Sequence, residues 1–180
     1  MSEAPAALPS LQDNDFKLFN LPVCFAIDRS ELDGRWKQLQ RQAHTDRFAA
    51  QGAAAQRVSM QWSVRINEAY QRLKDPLKRA AYWCELHGVP VNAENNTAMP
   101  ASFLMRQMEW REALEDVSDA GALEALLEEA RDARAQALAG LTQSIDQEAD
   151  AAKAVQQVRA LMFVERFTDE VHQRLERLES

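Results

Sequence analysis

Apolar residues recur along this chain three and four apart, the spacing that places them on one face of a helix. A short helix is predicted from Asn14 as cap through Phe16, Leu18 and Phe19, ending before Pro22, because the residue ahead of a proline is pushed out of the helical region. Asp28, with Glu31 three residues on, follows the logic of a capping box and opens a second helix. Its buried stripe is Leu32, Trp36, Leu39 and Ala43, so Lys37 and Arg41, one turn apart, make a basic outer face. The pattern breaks at His44-Thr45-Asp46 and an Ala-rich loop with Gly52. It resumes as a third helix with the stripe Val58, Trp62, Ile66, Ala69, Tyr70 and Leu73, placed to pack antiparallel on the second. Asp75-Pro76 starts a fourth, since a proline in the first turn lacks only an N–H that has no partner there, and Gly88 with Pro90 stops it.

Residues 89–100 are polar and rich in Asn and Pro, and three longer amphipathic segments follow. The first, about Ser102–Val117, carries Phe103, Trp110, Leu114 and Val117. Asp119 caps the second, whose stripe is Leu123, Leu127, Ala130, Ala137, Leu141 and Ile145. The third, about Glu148–Leu178, carries Ala154, Val158, Leu161, Val164, Val171, Leu175 and Leu178. The organisation read from this is a lead-in at 1–13, a helical domain at 14–91 built on an antiparallel hairpin, a linker at 92–100 and a three-helix bundle at 101–180.

Composition supports an all-α chain. The 180 residues include 30 Ala and 19 Leu but 13 Val plus Ile, and Gly and Pro together number 11, a balance that favours helix over sheet. No apolar run approaches the roughly 18 residues of a spanning helix. Met1 to Asp13 lacks the cations of a secretory or mitochondrial leader, so a cytoplasmic location and no membrane partner are expected. The net charge of −7 is unevenly spread: residues 1–91 carry 12 Lys/Arg against 10 Asp/Glu, net +2, and residues 92–180 carry 9 against 18, net −9. The two halves are therefore expected to face different partners.

The candidate chemistry is sparse. His44 and Asp46 beside a loop suggest a base with its orienting carboxylate, a helix-end cap, or a recognition motif, and no Ser or Cys nucleophile lies near them. Cys84 and His87 share a helix face at metal-ligand spacing, yet two ligands do not make a site, and a buried thiol with a last-turn histidine accounts for them better. No metal and no cofactor are expected. Lys37, Arg41 and Arg47, with Lys74, Lys78 and Arg79, have the charge to touch phosphates, but the −9 half repels nucleic acid at a distance, so no nucleic-acid partner is expected. No enzyme constellation emerges.

The most informative feature is a surplus. At about 100° per residue, Phe163 and Phe167 lie about 200° and 240° from Leu161, off the core stripe of the last helix, and Leu104, Met105 and Met108 lie off the stripe of the first bundle helix. Burial of each would contribute about 1.5–3 kcal/mol. Either a wide core or a neighbouring domain covers them, or they form an apolar, methionine-bearing docking patch rimmed by Glu109 and Glu112.

Three motifs in order resemble the HscB family of J-domain co-chaperones of iron–sulfur cluster assembly. Gln40–Phe48, Q-R-Q-A-H-T-D-R-F, resembles the end of the second J-domain helix and its signature loop. Ile66–Tyr82, I-N-E-A-Y-Q-R-L-K-D-P-L-K-R-A-A-Y, resembles the third helix and its continuation, with L-H-G at 86–88. Ala93–Asp116, ending F-L-M-R-Q-M-E-W-R-E-A-L-E-D, resembles the start of the C-terminal bundle. The resemblance implies an all-α non-enzyme with two partners. An HscA-type chaperone of the seventy-kilodalton class would be engaged by Lys37, Arg41, His44, Thr45, Asp46 and Arg47 and its ATPase stimulated. An IscU-type scaffold would be held by Leu104, Met105, Met108, Glu109, Glu112 and Phe163; Phe167 matches no part of the family pattern.

One departure stands out: the family's loop motif has proline where this chain has Thr45. Proline would fix φ near −65° and restrict the preceding His, whereas threonine frees both and restores an N–H. The lost restraint is worth about 0.4–1 kcal/mol in the unfolded chain, so folding survives while docking carries a larger ordering cost. Weakened ATPase stimulation with scaffold binding intact is expected. The alternative is a J-like adaptor that binds the scaffold and has lost stimulation altogether. Thr45→Pro is predicted to raise stimulation in a steady-state ATPase assay, and equal stimulation by both chains would refute this.

Overall fold

The computed structural model describes residues 9–44, 51–91 and 99–179. Among them are seven α-helices and no strand: α1 Asp15–Leu18, α2 Arg29–Ala43, α3 Ala53–Lys74, α4 Pro76–Leu86, α5 Ala101–Asp116, α6 Ala120–Leu141 and α7 Ala151–Glu179, with a π-helical segment Thr142–Gln147 between the last two. The chain forms two compact units, Met1–Arg79 and Ala80–Ser180. The division falls within α4, ahead of the polar connection; residues 92–98 of that connection lie outside the described residues.

The helix starts follow from side-chain caps. Asn14 Oδ1 accepts from the Lys17 N–H at 2.9 Å, Asp28 Oδ1 from Glu31 at 2.7 Å, Asp75 Oδ1 from Lys78 at 3.1 Å and Asp119 Oδ1 from Ala122 at 2.9 Å. Each satisfies a first-turn donor that has no partner within the helix. The Glu31 carboxylate turns forward to Arg35. α4 ends in a Schellman motif: Val89 N–H bonds the Cys84 carbonyl and Gly88 N–H the Glu85 carbonyl, both at 3.0 Å, with Gly88 at φ +75°. That left-handed position favours glycine.

In the first unit α2 and α3 run antiparallel, with Arg29 and Trp36 meeting Tyr70 and Ala43 meeting Ser59. Trp36 stacks on Tyr70 with centroids 4.9 Å apart and donates its indole N–H to Asn67, which Gln40 also engages. Tyr70 donates to Asp33 at 2.8 Å, and Arg29 pairs with the same oxygen at 2.8 Å. These bonds hold the Asp33 carboxyl below its usual range, Arg29 foremost. A depressed folded-state value stabilises the fold above the ordinary carboxylate range and is lost as pH falls through it.

Val58 does not take the stripe position expected of it. It is 49% exposed and lines an apolar cleft with Leu39 and Trp62, while Ser59 is 1% exposed. Spacings of seven, four and three put Ser59 in register with Ile66, Tyr70 and Leu73, so the serine occupies the core position, and its hydroxyl donates to the Ala43 carbonyl at the end of α2.

In the second unit α5, α6 and α7 form the bundle. α6 stops at Leu141, four residues short of the sequence expectation, and the wider π turn narrows the angle between successive side chains. Neighbouring Ser144 and Ile145 thus both face inward, at 3% and 4% exposure. α7 begins at Ala151, with Asp150 Oδ1 accepting from Lys153 at 3.0 Å.

α1 is too short to be stable alone; it is held by the burial of Phe16 and Leu18 and by one buried carboxylate. Asp15 is fully buried, 2.7 Å from Arg65 and 3.1 Å from Arg72 of α3, and Arg65 also donates to the Asp13 carbonyl at 2.8 Å. Both arginines keep partial contact with water, which lessens the penalty of losing their partner. Asp15→Ala is predicted to cost about 2 kcal/mol in urea unfolding, below the 3–5 of a wholly buried pair; a loss under about 0.5 kcal/mol would contradict this role.

Candidate functional site

Two surfaces carry the side chains that the sequence singled out, one in each unit. On α2, Lys37 and Arg41 are exposed, opposite buried Leu32 and Ala43. His44 is the exposed C-cap of α2, at φ −60° and ψ 133°, so the chain leaves the helix in an extended direction from a point fixed by Ser59. Thr45, Asp46 and Arg47 lie outside the described residues. Ser59 was not found from the sequence, although its place in the period of α3 was a usable signal.

The α5 surface is built by what α5 turns inward. Trp110 is 5% exposed; its ring stacks on Phe167 at 4.6 Å between centroids and on Phe163 at 5.8 Å, and its N–H donates to Glu129 of α6 at 3.2 Å. Phe103 meets Phe163 edge-on at 5.6 Å, and the Leu114 carbonyl accepts from Arg174 of α7. With α5 anchored so, residues about 120–220° from Trp110 point to water. Leu104, Met105 and Met108 are there, at 39%, 62% and 63% exposure, and Glu109 and Glu112 continue the same ridges, exposed.

The two phenylalanines of α7 correct the surplus. Phe167 is 4% exposed and sits in the core with Trp110, Leu123 and Val171, and Phe163 is half-buried against that core. Angles taken from Leu161 alone misplace them, because Leu161 lies at one edge of a broad stripe. Measured from the Val164–Val171 row, Phe167 is only about 40° away and Phe163 about 80°. A helix in a three-helix bundle faces two neighbours, so its apolar arc is wide: α7 meets α6 and also the ring of Trp110. Three of the five surplus residues thus remain as an exposed patch.

The other chemical candidates resolve into packing. Cys84 is fully buried, and burial pushes its thiol up to about 11, which keeps it protonated at neutral pH. His87 lies on Trp83, with centroids 3.8 Å apart and Nδ1 2.8 Å from the Trp83 carbonyl. Among the described residues no group of three or more His, Cys, Asp or Glu is placed to hold a metal ion, and no helix is long and apolar enough to cross a membrane.

Residues 99–172 match the family model described as the HSCB C-terminal oligomerisation domain. The chain is 54% identical over 173 residues to a co-chaperone protein HscB homolog of Burkholderia thailandensis, covering 94% of this chain and 98% of that one. Chaperone HscB from Vibrio cholerae superposes with a TM-score of 0.83 at 37% identity, over 92% of this chain and 99% of that one. Human co-chaperone HscB shares the fold, with a TM-score of 0.85 at 22% identity over 95% and 88% of the two chains. Identity above half along nearly the whole chain, together with the fold, places this protein in the HscB family of co-chaperones.

Proposed function

We propose that this co-chaperone holds an IscU-type iron–sulfur scaffold on the α5 face and presents it, in the cytoplasm, to an HscA-type chaperone whose ATPase it stimulates through α2 and the following loop. The observation that carries the reading is the outward face of α5. Leu104, Met105 and Met108 stay in water although Trp110 and Leu114 of the same helix are buried. The arrangement suits a partner with an apolar contact of its own and a positive rim to meet Glu109 and Glu112.

The second surface has different physics. Lys37 and Arg41 project from a helix whose end is fixed by Ser59, so their charges and the start of the loop are presented together. They would steer an acidic chaperone surface, and His44, Thr45, Asp46 and Arg47 would complete the contact. Hydrolysis takes place on the chaperone; this chain supplies positioning. Thr45 favours the weaker form of the reading, an adaptor that retains the scaffold while stimulating poorly.

The two surfaces are separable by experiment. Lys37→Glu with Arg41→Glu is predicted to abolish ATPase stimulation and leave scaffold affinity within about twofold. Leu104→Ser with Met108→Ser should weaken scaffold binding about tenfold or more, with helix content unchanged, because both side chains are exposed before docking. Phe163→Ala is a less clean probe, since it also opens the aromatic cluster. Raising salt should weaken chaperone docking more than scaffold docking, as exposed charges are screened beyond about 8–10 Å. Scaffold binding unaffected by the Leu104/Met108 pair would reject the assignment.

A further inference from the structure

Resting on the α5 docking reading, we propose that Met105 and Met108 are reversible oxidation sites, and that their conversion to sulfoxides by a peroxide switches the docking face off. The chain has six methionines. Met99 is 8% exposed and Met162 is half-buried, whereas Met60, Met105 and Met108 are exposed at 62–63%. Among the described residues, two of the three open thioethers thus stand three residues apart on one face of α5, beside Leu104, at the most accessible points of the patch. Leucine forms helix as readily as methionine, so helix formation does not call for sulfur there.

The chemistry balances with a peroxide as the only co-reactant. A thioether lone pair attacks one peroxide oxygen and the O–O bond breaks. That oxygen stays on sulfur and gives up its proton, and the departing hydroxide takes up that proton to leave as water. Sulfur loses two electrons and the peroxide gains them. The exposed carboxylates of Glu109 and Glu112 do not hinder a neutral oxidant.

The consequences for folding and docking differ. In the free chain the sulfoxide oxygen points into water, and the core around Trp110, Leu114, Leu123 and Phe167 contains no methionine, so the bundle is unaffected. In the complex the same oxygen must give up water against an apolar partner. Oxidation therefore costs affinity and spares the fold, and the epimer-specific methionine sulfoxide reductases restore the original surface. Cys84 is shielded from the same oxidant by full burial. Cys24, half-exposed with its thiol 3.3 Å from the Ala26 carbonyl, is the competing target, and its reversible products respond to a thiol reductant, which leaves sulfoxides untouched.

The test uses the full chain, hydrogen peroxide and a purified IscU-type scaffold. Peptide mass mapping should find one added oxygen on each of Met105, Met108 and Met60, with Met99 and Met162 protected. After thiol reduction, the treated chain should bind the scaffold about tenfold more weakly than before, at unchanged helix content. The two reductases together should restore binding, and Met60→Leu should lose affinity to the same extent as wild type. The ratio of affinities before and after peroxide should stay near one for Met105→Leu/Met108→Leu. Unmodified Met105 and Met108 beside modified Met60, a treated wild-type chain that binds within twofold, or a loss that the reductases do not reverse would each overturn the proposal. A failure of the untreated chain to bind rejects the docking reading itself, and is told apart because failure of the switch alone leaves untreated binding intact.

Discussion

The stacking of Trp110 on Phe167 is the interaction on which the outward face of α5 depends. α5 is poor in inward apolar side chains: in the described core it contributes Trp110 and Leu114, with Phe103 and Ala113 and the C-cap residue Val117 at the margin. One large ring, 4.6 Å from Phe167 and hydrogen-bonded to Glu129, fixes the rotation of the whole helix against both neighbours. Once that rotation is set, the direction of every other α5 side chain follows from the helical period. The apolar ridge of Leu104, Met105 and Met108 is exposed because Trp110 is buried.

An analogous logic holds in the first unit, where polar bonds do the orienting. Trp36, Asn67, Tyr70, Asp33 and Arg29 join α2 to α3 along one side, and Ser59 ties down the Ala43 carbonyl at the end of α2. The basic face is thereby held outward, and the C-terminal end of α2 at Ala43 is fixed. The overall charge of −7 describes neither surface: a basic helix face lies in the +2 half, and a glutamate-rimmed apolar ridge lies in the −9 half.

What was legible in the sequence was mostly local. All four expected capping residues, Asn14, Asp28, Asp75 and Asp119, accept the bonds that their side chains predict, because a cap depends on three or four neighbouring residues. Leu104, Met105 and Met108 were legible as well, since a ring as large as Trp110 leaves little doubt about which side of α5 is inside. Positions set by partners distant in sequence are less legible. Phe167 counted as outward because the width of the α7 stripe is set by two helices that periodicity in one segment cannot show. Val58 displaced Ser59 from the expected core because a serine has no apolar signal, although the Ala43 carbonyl gives its hydroxyl a reason to be buried. The π turn at Thr142–Gln147 left no pattern in the hydrophobic spacing. Thr45, Asp46 and Arg47 lie outside the described residues.

The central claim is that one chain presents two independent docking faces, a charged one on α2 and an apolar one on α5. Amide hydrogen exchange of the full chain, alone and with each purified partner, tests it most directly. The scaffold is expected to slow exchange in peptides spanning Ala101–Glu112 and to leave Arg29–His44 unchanged, and the chaperone to do the reverse. Protection by the scaffold confined to α2, or protection of α6 with none on α5, would contradict it.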